Sequence, residues 1–185
     1  ASAATMDTIR AVLEQLADAE RARSPLWTAR SLRRRLEVVR APFEPVKDAA
    51  KRLGGTLNTA FVTAAAEAAS RYHADLGAPV DELCATMAVS TRTSAREANA
   101  FTLARMLVPT APMPIAERFA RIQEAADEAR AATTSASLGT LAAVASALPT
   151  SLVTRIARQQ AQTVDFATSN VRGAPMPVYI AGARL

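Results

Sequence analysis

The sequence predicts an α/β fold with helices packed on a mixed sheet, and three observations carry that prediction. Segments of helical periodicity alternate with segments whose apolar residues fall at every second position. The alternation does not follow the strict βαβ rhythm of an all-parallel sheet, so parallel and antiparallel strands should coexist. Half of the residues are apolar, many of them alanine, while aromatics make up 4%, a composition that favours close-laid helices over stacked rings. A chain of 185 residues suits one domain with its own core.

The elements follow in order. Residues 5–22 set Ile9, Val12, Leu13 and Leu16 in a helical stripe closed by Ser24-Pro25. Residues 35–41 alternate around Leu36 and Val38 and predict a strand ended by Pro42. Residues 44–53 predict a short helix stopped by Gly54-Gly55. Thr56 is a good N-cap for the best-defined helix, whose expected apolar face is Leu57, Phe61, Ala65, Ala68 and Tyr72, ending before Gly77. Residues 83–91 read as a strand with Leu83, Ala85, Met87 and Val89 on one face and Cys84, Thr86, Ala88 and Ser90 on the other. Residues 101–108 form a further strand.

Pro112 and Pro114 then open a long helix with Ile115, Phe119, Ile122, Ala126 and Ala129 on its face. Two shorter helices flank Pro149. Residues 164–169 and 178–183 read as the last strands, around a turn over 170–175. The small and hydroxylated faces at 84–90 and 164–169 suit either a close-packed helix or a channel lining.

Composition removes several functions. The net charge of +5 is concentrated in Arg30, Arg33, Arg34, Arg35 and Arg40. A solvated strand entry is the plain reading of that run; cofactor phosphates or anionic lipid headgroups are the functional one. Nucleic acid fits poorly, because only Trp27 offers a stacking platform near the arginines. Cys84 is the sole cysteine, which excludes an internal disulfide and reads as a buried structural thiol. No apolar run reaches the about 20 residues of a spanning helix.

His73 is the sole histidine, near a helix C-terminus, where a structural role is the natural one. One His and one Cys cannot complete a zinc site, so no metal is expected. Neither a nucleophile elbow, a phosphate loop nor a dinucleotide fingerprint is present, so no catalytic residue is assigned in this chain. A first residue other than Met, and a last one inside a strand pattern, lead to the expectation of an excised piece.

What remains is a set of uncharged polar residues at element ends. Asn58 falls at the second position of the best-defined helix, Asn99 precedes the strand at Phe101, and Ser169 and Asn170 end a strand. Each suits a turn or cap as well as a ligand.

Taken in order, several segments resemble the bacterial wax ester synthase/diacylglycerol acyltransferase family. Gly54-Gly55-Thr56-Leu57-Asn58-Thr59 is similar to its Gly-Gly-x-x-Asn-Asp segment, and Val89-Ser90-Thr91-Arg92 to its Val-Ser-x-Arg strand end. Residues 99–110 resemble its Asn-x-Phe loop, strand and Pro-Thr exit. Ser169-Asn170-Val171-Arg172-Gly173 resembles its Ser-Asn-Val-Pro-Gly turn, and residues 177–184 its final Tyr-Leu-Ala-Gly-Ala segment. Thr59, Ala98 and Arg172 depart from that pattern, standing where the family has Asp, Gly and Pro. Pro25-Leu26-Trp27 matches a family tripeptide that belongs further upstream, and reads as coincidence.

The resemblance implies the second half of a bipartite fold shared with chloramphenicol acetyltransferase and condensation domains. Residues 1–29 would be a helix and linker from the preceding half, and 30–185 the C-terminal half-domain. The absent first half would carry a His-His-x-x-x-Asp-Gly motif whose second histidine is the general base. The implied activity is acyl-CoA:alcohol O-acyl transfer making wax esters or triacylglycerol. Acyl-CoA and a long-chain alcohol or diacylglycerol would be substrates, with no separate cofactor. Asn58, Asn99, Ser169 and Asn170 would touch substrate. The implied location is the cytoplasm, or peripherally the inner membrane or lipid inclusions. An acyltransferase of this fold with another acceptor, and a non-catalytic lipid or acyl-CoA binding module, are the alternatives.

Overall fold

The computed structural model describes residues 22–28, 31, 33–90, 101–135, 150, 151, 154, 158, 162–171, 173 and 176–184. Asn99, Arg30, Ala98, Arg172, the helix expected before Pro149 and all of the helix expected over 5–22 except Ala22, which is not helical, lie outside the described residues. After Pro149, Thr150, Ser151, Thr154 and Arg158 are helical and exposed, as expected for the second of that pair.

Turn chemistry sets the first two helices. Helix α1 (Phe43–Arg52) ends at Leu53, and Gly54 takes a φ of 77°. Gly54 N–H then donates to the Lys51 carbonyl and Gly55 N–H to the Ala50 carbonyl, which is a Schellman closure. Helix α2 (Leu57–Asp75) begins at Thr56, whose Oγ1 accepts from Thr59 N–H at 3.1 Å. It closes the same way, with Gly77 donating to the Ala74 carbonyl and Ala78 to the His73 carbonyl.

The buried face of α2 is not the one its apolar residues predict. It consists of Thr59, Val62, Thr63, Ala66, Ala69 and His73, while Phe61 and Tyr72 are half exposed. Alanines surround this helix, so hydrophobicity barely distinguishes its sides. The threonines enter the core because their hydroxyls are satisfied there: Thr63 donates to the Thr59 carbonyl at 2.7 Å.

Strand β1 (Glu82–Ser90) is the middle of a three-stranded sheet. Strand β2 (Phe101–Pro109) pairs with it antiparallel and β3 (Phe166–Thr168) parallel, so the sheet is mixed as expected. Leu83, Ala85 and Met87 lie opposite Val108, Met106 and Ala104, and these six pack on Val62, Ala66 and Ala69 of α2. Ile122, Ala126 and Ala129 of α3 (Ile115–Ser135) complete that core, as their periodicity predicts. On the other face Cys84 and Thr86 are buried, whereas Leu103 is 59% and Leu107 38% exposed.

Two expected strands differ. Residues 35–41 are extended but join no strand among the described residues, and Leu36, Val38 and Val39 stand in solvent. Alternation specifies an extended shape; pairing needs a neighbouring edge, which the local sequence cannot supply. Residues 178–183 are not one strand but part of a hairpin of β4 (Tyr179–Ile180) and β5 (Ala183–Arg184). Ala181 and Gly182, with φ of 50° and 82°, make the tight turn.

Candidate functional site

Three of the four polar candidates fall at one end of the sheet. The carboxamide of Asn58, half buried in the first turn of α2, reaches β1, with its Nδ2 2.8 Å from Met87 Sδ. Met87 is opposite Thr168 in the parallel pair, so Ser169 and Asn170, both exposed, continue the chain from the same place. Thr168 Oγ1 fixes that strand end by donating to the Thr86 carbonyl at 2.9 Å. Asn99 lies outside the described residues; Phe101, two positions on, pairs with Ser90 at this end.

This end joins two favourable features. The parallel strands β1 and β3 both finish here, where α/β sheets place ligands. The N-terminus of α2, with its partial positive charge, opens beside them.

The position of Asn58 is held by its neighbours. Thr59, fully buried, donates its hydroxyl proton to Gln123 Oε1 on α3 and accepts from Thr56 Oγ1 at 2.8 Å. The Gln123 amide in turn donates to Asp127 at 2.7 Å. Thr59 thus has a complete set of partners where the family has Asp. Gly55 explains the second glycine of its motif: a Cβ there would lie 2.5 Å from the Phe119 ring and 2.6 Å from Gln123 Oε1. Local sequence could not reveal Gln123, because nothing but the fold brings α3 to the start of α2.

A second polar cluster is structural. His73 is fully buried, with Nδ1 2.8 Å from the Ala69 carbonyl and Nε2 2.8 Å from Ser24 Oγ. A carbonyl only accepts, so Nδ1 carries the proton and the Ser24 hydroxyl donates to Nε2. Ser24 Oγ also accepts from the N–H groups of Leu26 and Trp27. The Trp27 ring meets His73 edge-on at 4.7 Å and Phe166 at 6.3 Å. The Asp165 carboxylate gathers the N–H groups of Arg23, Ser24 and Cys84. Residues 23–27, Pro25-Leu26-Trp27 included, are therefore tied to α2 and β3. Imidazole and hydroxyl are sealed from solvent, which suits packing and not catalysis.

Other expectations concern absence. Cys84 is buried and unpaired. Among the described residues no group of His, Cys, Asp and Glu could hold a metal, and no helix is long and apolar enough to cross a membrane.

Comparison with known proteins follows the same segments. Residues 97–185 match the family described as "WS/DGAT C-terminal domain". Over 164 residues, 88% of this chain, it is 30% identical to "Putative diacyglycerol O-acyltransferase" proteins of Mycobacterium tuberculosis strains CDC 1551 / Oshkosh and H37Rv. The chain spans about a third of the length of these curated relatives, 33% in each case. The motif order, the α/β fold and both similarities agree: this chain belongs to the wax ester synthase/diacylglycerol acyltransferase family and corresponds to its C-terminal part.

Proposed function

We propose that this chain is the pocket-forming C-terminal half of an acyl-CoA:alcohol O-acyltransferase that makes wax esters or triacylglycerol. The observation that carries the reading is the convergence of Asn58, Ser169 and Asn170 beside Met87, at the end of the sheet where the family motifs meet. These residues, with Asn99, would form a polar rim from which hydrogen bonds orient the thioester or the alcohol. Apolar substrate chain would lie along the walls, gaining ~0.8 kcal/mol per buried methylene.

The base in this reading is the second histidine of the motif that the resemblance assigns to the other half. A histidine there takes the alcohol proton as the alcohol oxygen attacks the thioester carbonyl. The C–S bond then breaks, and the proton passes to the departing coenzyme A thiolate. Acyl-CoA is a substrate in this scheme, and no further cofactor is needed. The whole protein would work in the cytoplasm or at the surface of the inner membrane or lipid inclusions, where its apolar substrates collect.

The test is acyl transfer by the full-length protein, from a long-chain acyl-CoA to a long-chain alcohol or diacylglycerol. Turnover is expected, and Asn58→Ala should lower kcat/KM by about 10-fold, the order of one lost orienting hydrogen bond. Acyl-CoA binding without turnover would replace the enzyme reading with a lipid-binding module. Turnover with a different acceptor alone would keep the chemistry and change the product.

A further inference from the structure

Residues 33–42 are the most conspicuous unused feature of the molecule. They run extended, with Leu36 87%, Val38 72% and Val39 92% exposed. Three adjacent aliphatic side chains in water are a liability for an extended segment of high β-propensity. Side-chain contacts here are local: Arg35 pairs with Glu37 at 2.6 Å, and Arg34 bonds the carbonyls of Ser31 and Arg33. No backbone bond joins residues 35–41 to another strand among the described residues.

Both ends of the segment are fixed. Upstream, Ser24 and Trp27 are locked onto His73 and Asp165; downstream, α1 starts at Phe43 and buries Ala50. An extended segment anchored on both sides has lost part of its conformational freedom in advance, which lowers the cost of pairing it.

We propose that residues 35–41 are a docking strand that adds to a free sheet edge in the remaining two thirds of the protein, outside this chain. This rests on the acyltransferase reading for the existence of that remainder, since the relatives are about three times as long as the matched span, which is 33% of each. Backbone N–H and C=O groups would supply the register-independent attraction, and alternate side chains the fit. Leu36 and Val38 would face one side, and Glu37 and Val39 the other.

Charge identifies the partner edge. Between 33 and 41 four arginines face a single glutamate. Pairing with a second copy would set arginine against arginine, in a chain whose net charge is already +5. The complementary edge is apolar in its middle and acidic at its flanks.

Hydrogen exchange of the full-length protein tests this. Amides of residues 36–40 should exchange about 100-fold or more slowly than in a free chain, as paired strand amides do. Exchange at the free-chain rate overturns the proposal. So does protection that grows with protein concentration, which would signal a second copy. A photo-cross-linking residue substituted for Val39 identifies the neighbour: adducts outside this chain support the proposal, and adducts only within it overturn it.

Acyl transfer is measured on the same sample. Free-chain exchange in an active sample would sink the docking strand and leave the function standing. Protection with adducts outside this chain, in a sample without acyl transfer, would keep the strand and sink the acyltransferase reading.

Discussion

Two stretches of this chain carry aliphatic side chains at alternating or periodic positions and end in opposite states. In the body formed by α2, α3 and the sheet, one apolar face of each element is buried, and the polar groups among those side chains are answered by named partners, Arg118 Nε excepted. Over residues 33–42 the aliphatic side chains sit among four arginines and a glutamate, and Leu36 and Val39 are almost wholly in water. The difference is not hydrophobicity but where the partners are. The first stretch carries its partners within the chain, up to 82 residues away. The second joins no strand among the described residues, and its polar bonds stay within a few residues. Substitutions should therefore act on stability in the body and on association or activity in the extended segment.

The largest stability loss should come from Arg118. Its side chain is 1% exposed, bonds the carbonyls of Pro109 and Ala111, and pairs with Glu67 at 3.1 Å. It ties the end of β2 to both α2 and α3. Arg118→Ala leaves two carbonyls without their donor and Glu67 with Arg71 as its remaining cation, and should cost about 3–5 kcal/mol in urea unfolding. A loss below about 1 kcal/mol would show that the clamp is incidental.

Asp165→Ala ranks next. It strips three backbone N–H groups of their acceptor and loosens the hold of the sheet on residues 23 and 24. A loss of about 3 kcal/mol is expected. Faster proteolysis near Arg23 should accompany it, because two consecutive N–H groups there lose their acceptor, leaving the Arg23–Glu82 pair, the Ser24–His73 bond and the Trp27 ring to hold the segment. Gly55→Ala should cost about 1–3 kcal/mol, since its Cβ meets a Phe119 ring that is 97% shielded, with 3% exposed. Phe119→Leu in the same background should recover part of the loss; no recovery would place the strain elsewhere.

These contrasts also mark what was legible in sequence. The Thr56 cap, the two glycine closures and the Ile122–Ala126–Ala129 face are local patterns, and each folds as its residues suggest. The orientation of α2 was not legible, because a helix of alanines offers no strong side and its threonines find partners only once folded. The turn at Ala181-Gly182 was equally hidden, since Ala at positive φ is an uncommon choice. Within the candidate site, Asn58 could be placed on its helix turn from Thr56 alone. That it meets Met87, and that Met87 is opposite Thr168, depends on a parallel pairing between residues some 80 apart, Ala85 with Phe166 being one such pair.

The smallest stability effect should belong to the extended segment, and there the comparison is sharpest. Leu36→Ser combined with Val38→Ser removes aliphatic surface that is 87% and 72% exposed, and should leave unfolding of the body within about 0.5 kcal/mol of wild type. In the full-length protein the same pair should reduce acyl transfer, because a docking strand without its aliphatic side chains loses the fit against its partner edge. A replacement that conserves shape and apolarity, Leu36→Met with Val38→Ile, should retain both stability and turnover. If the serine pair instead unfolds the body, the segment is packed after all, and the contrast between the two stretches disappears. If it changes neither stability nor turnover, residues 35–41 are a tether whose length alone matters, and exposure of their side chains has no partner behind it.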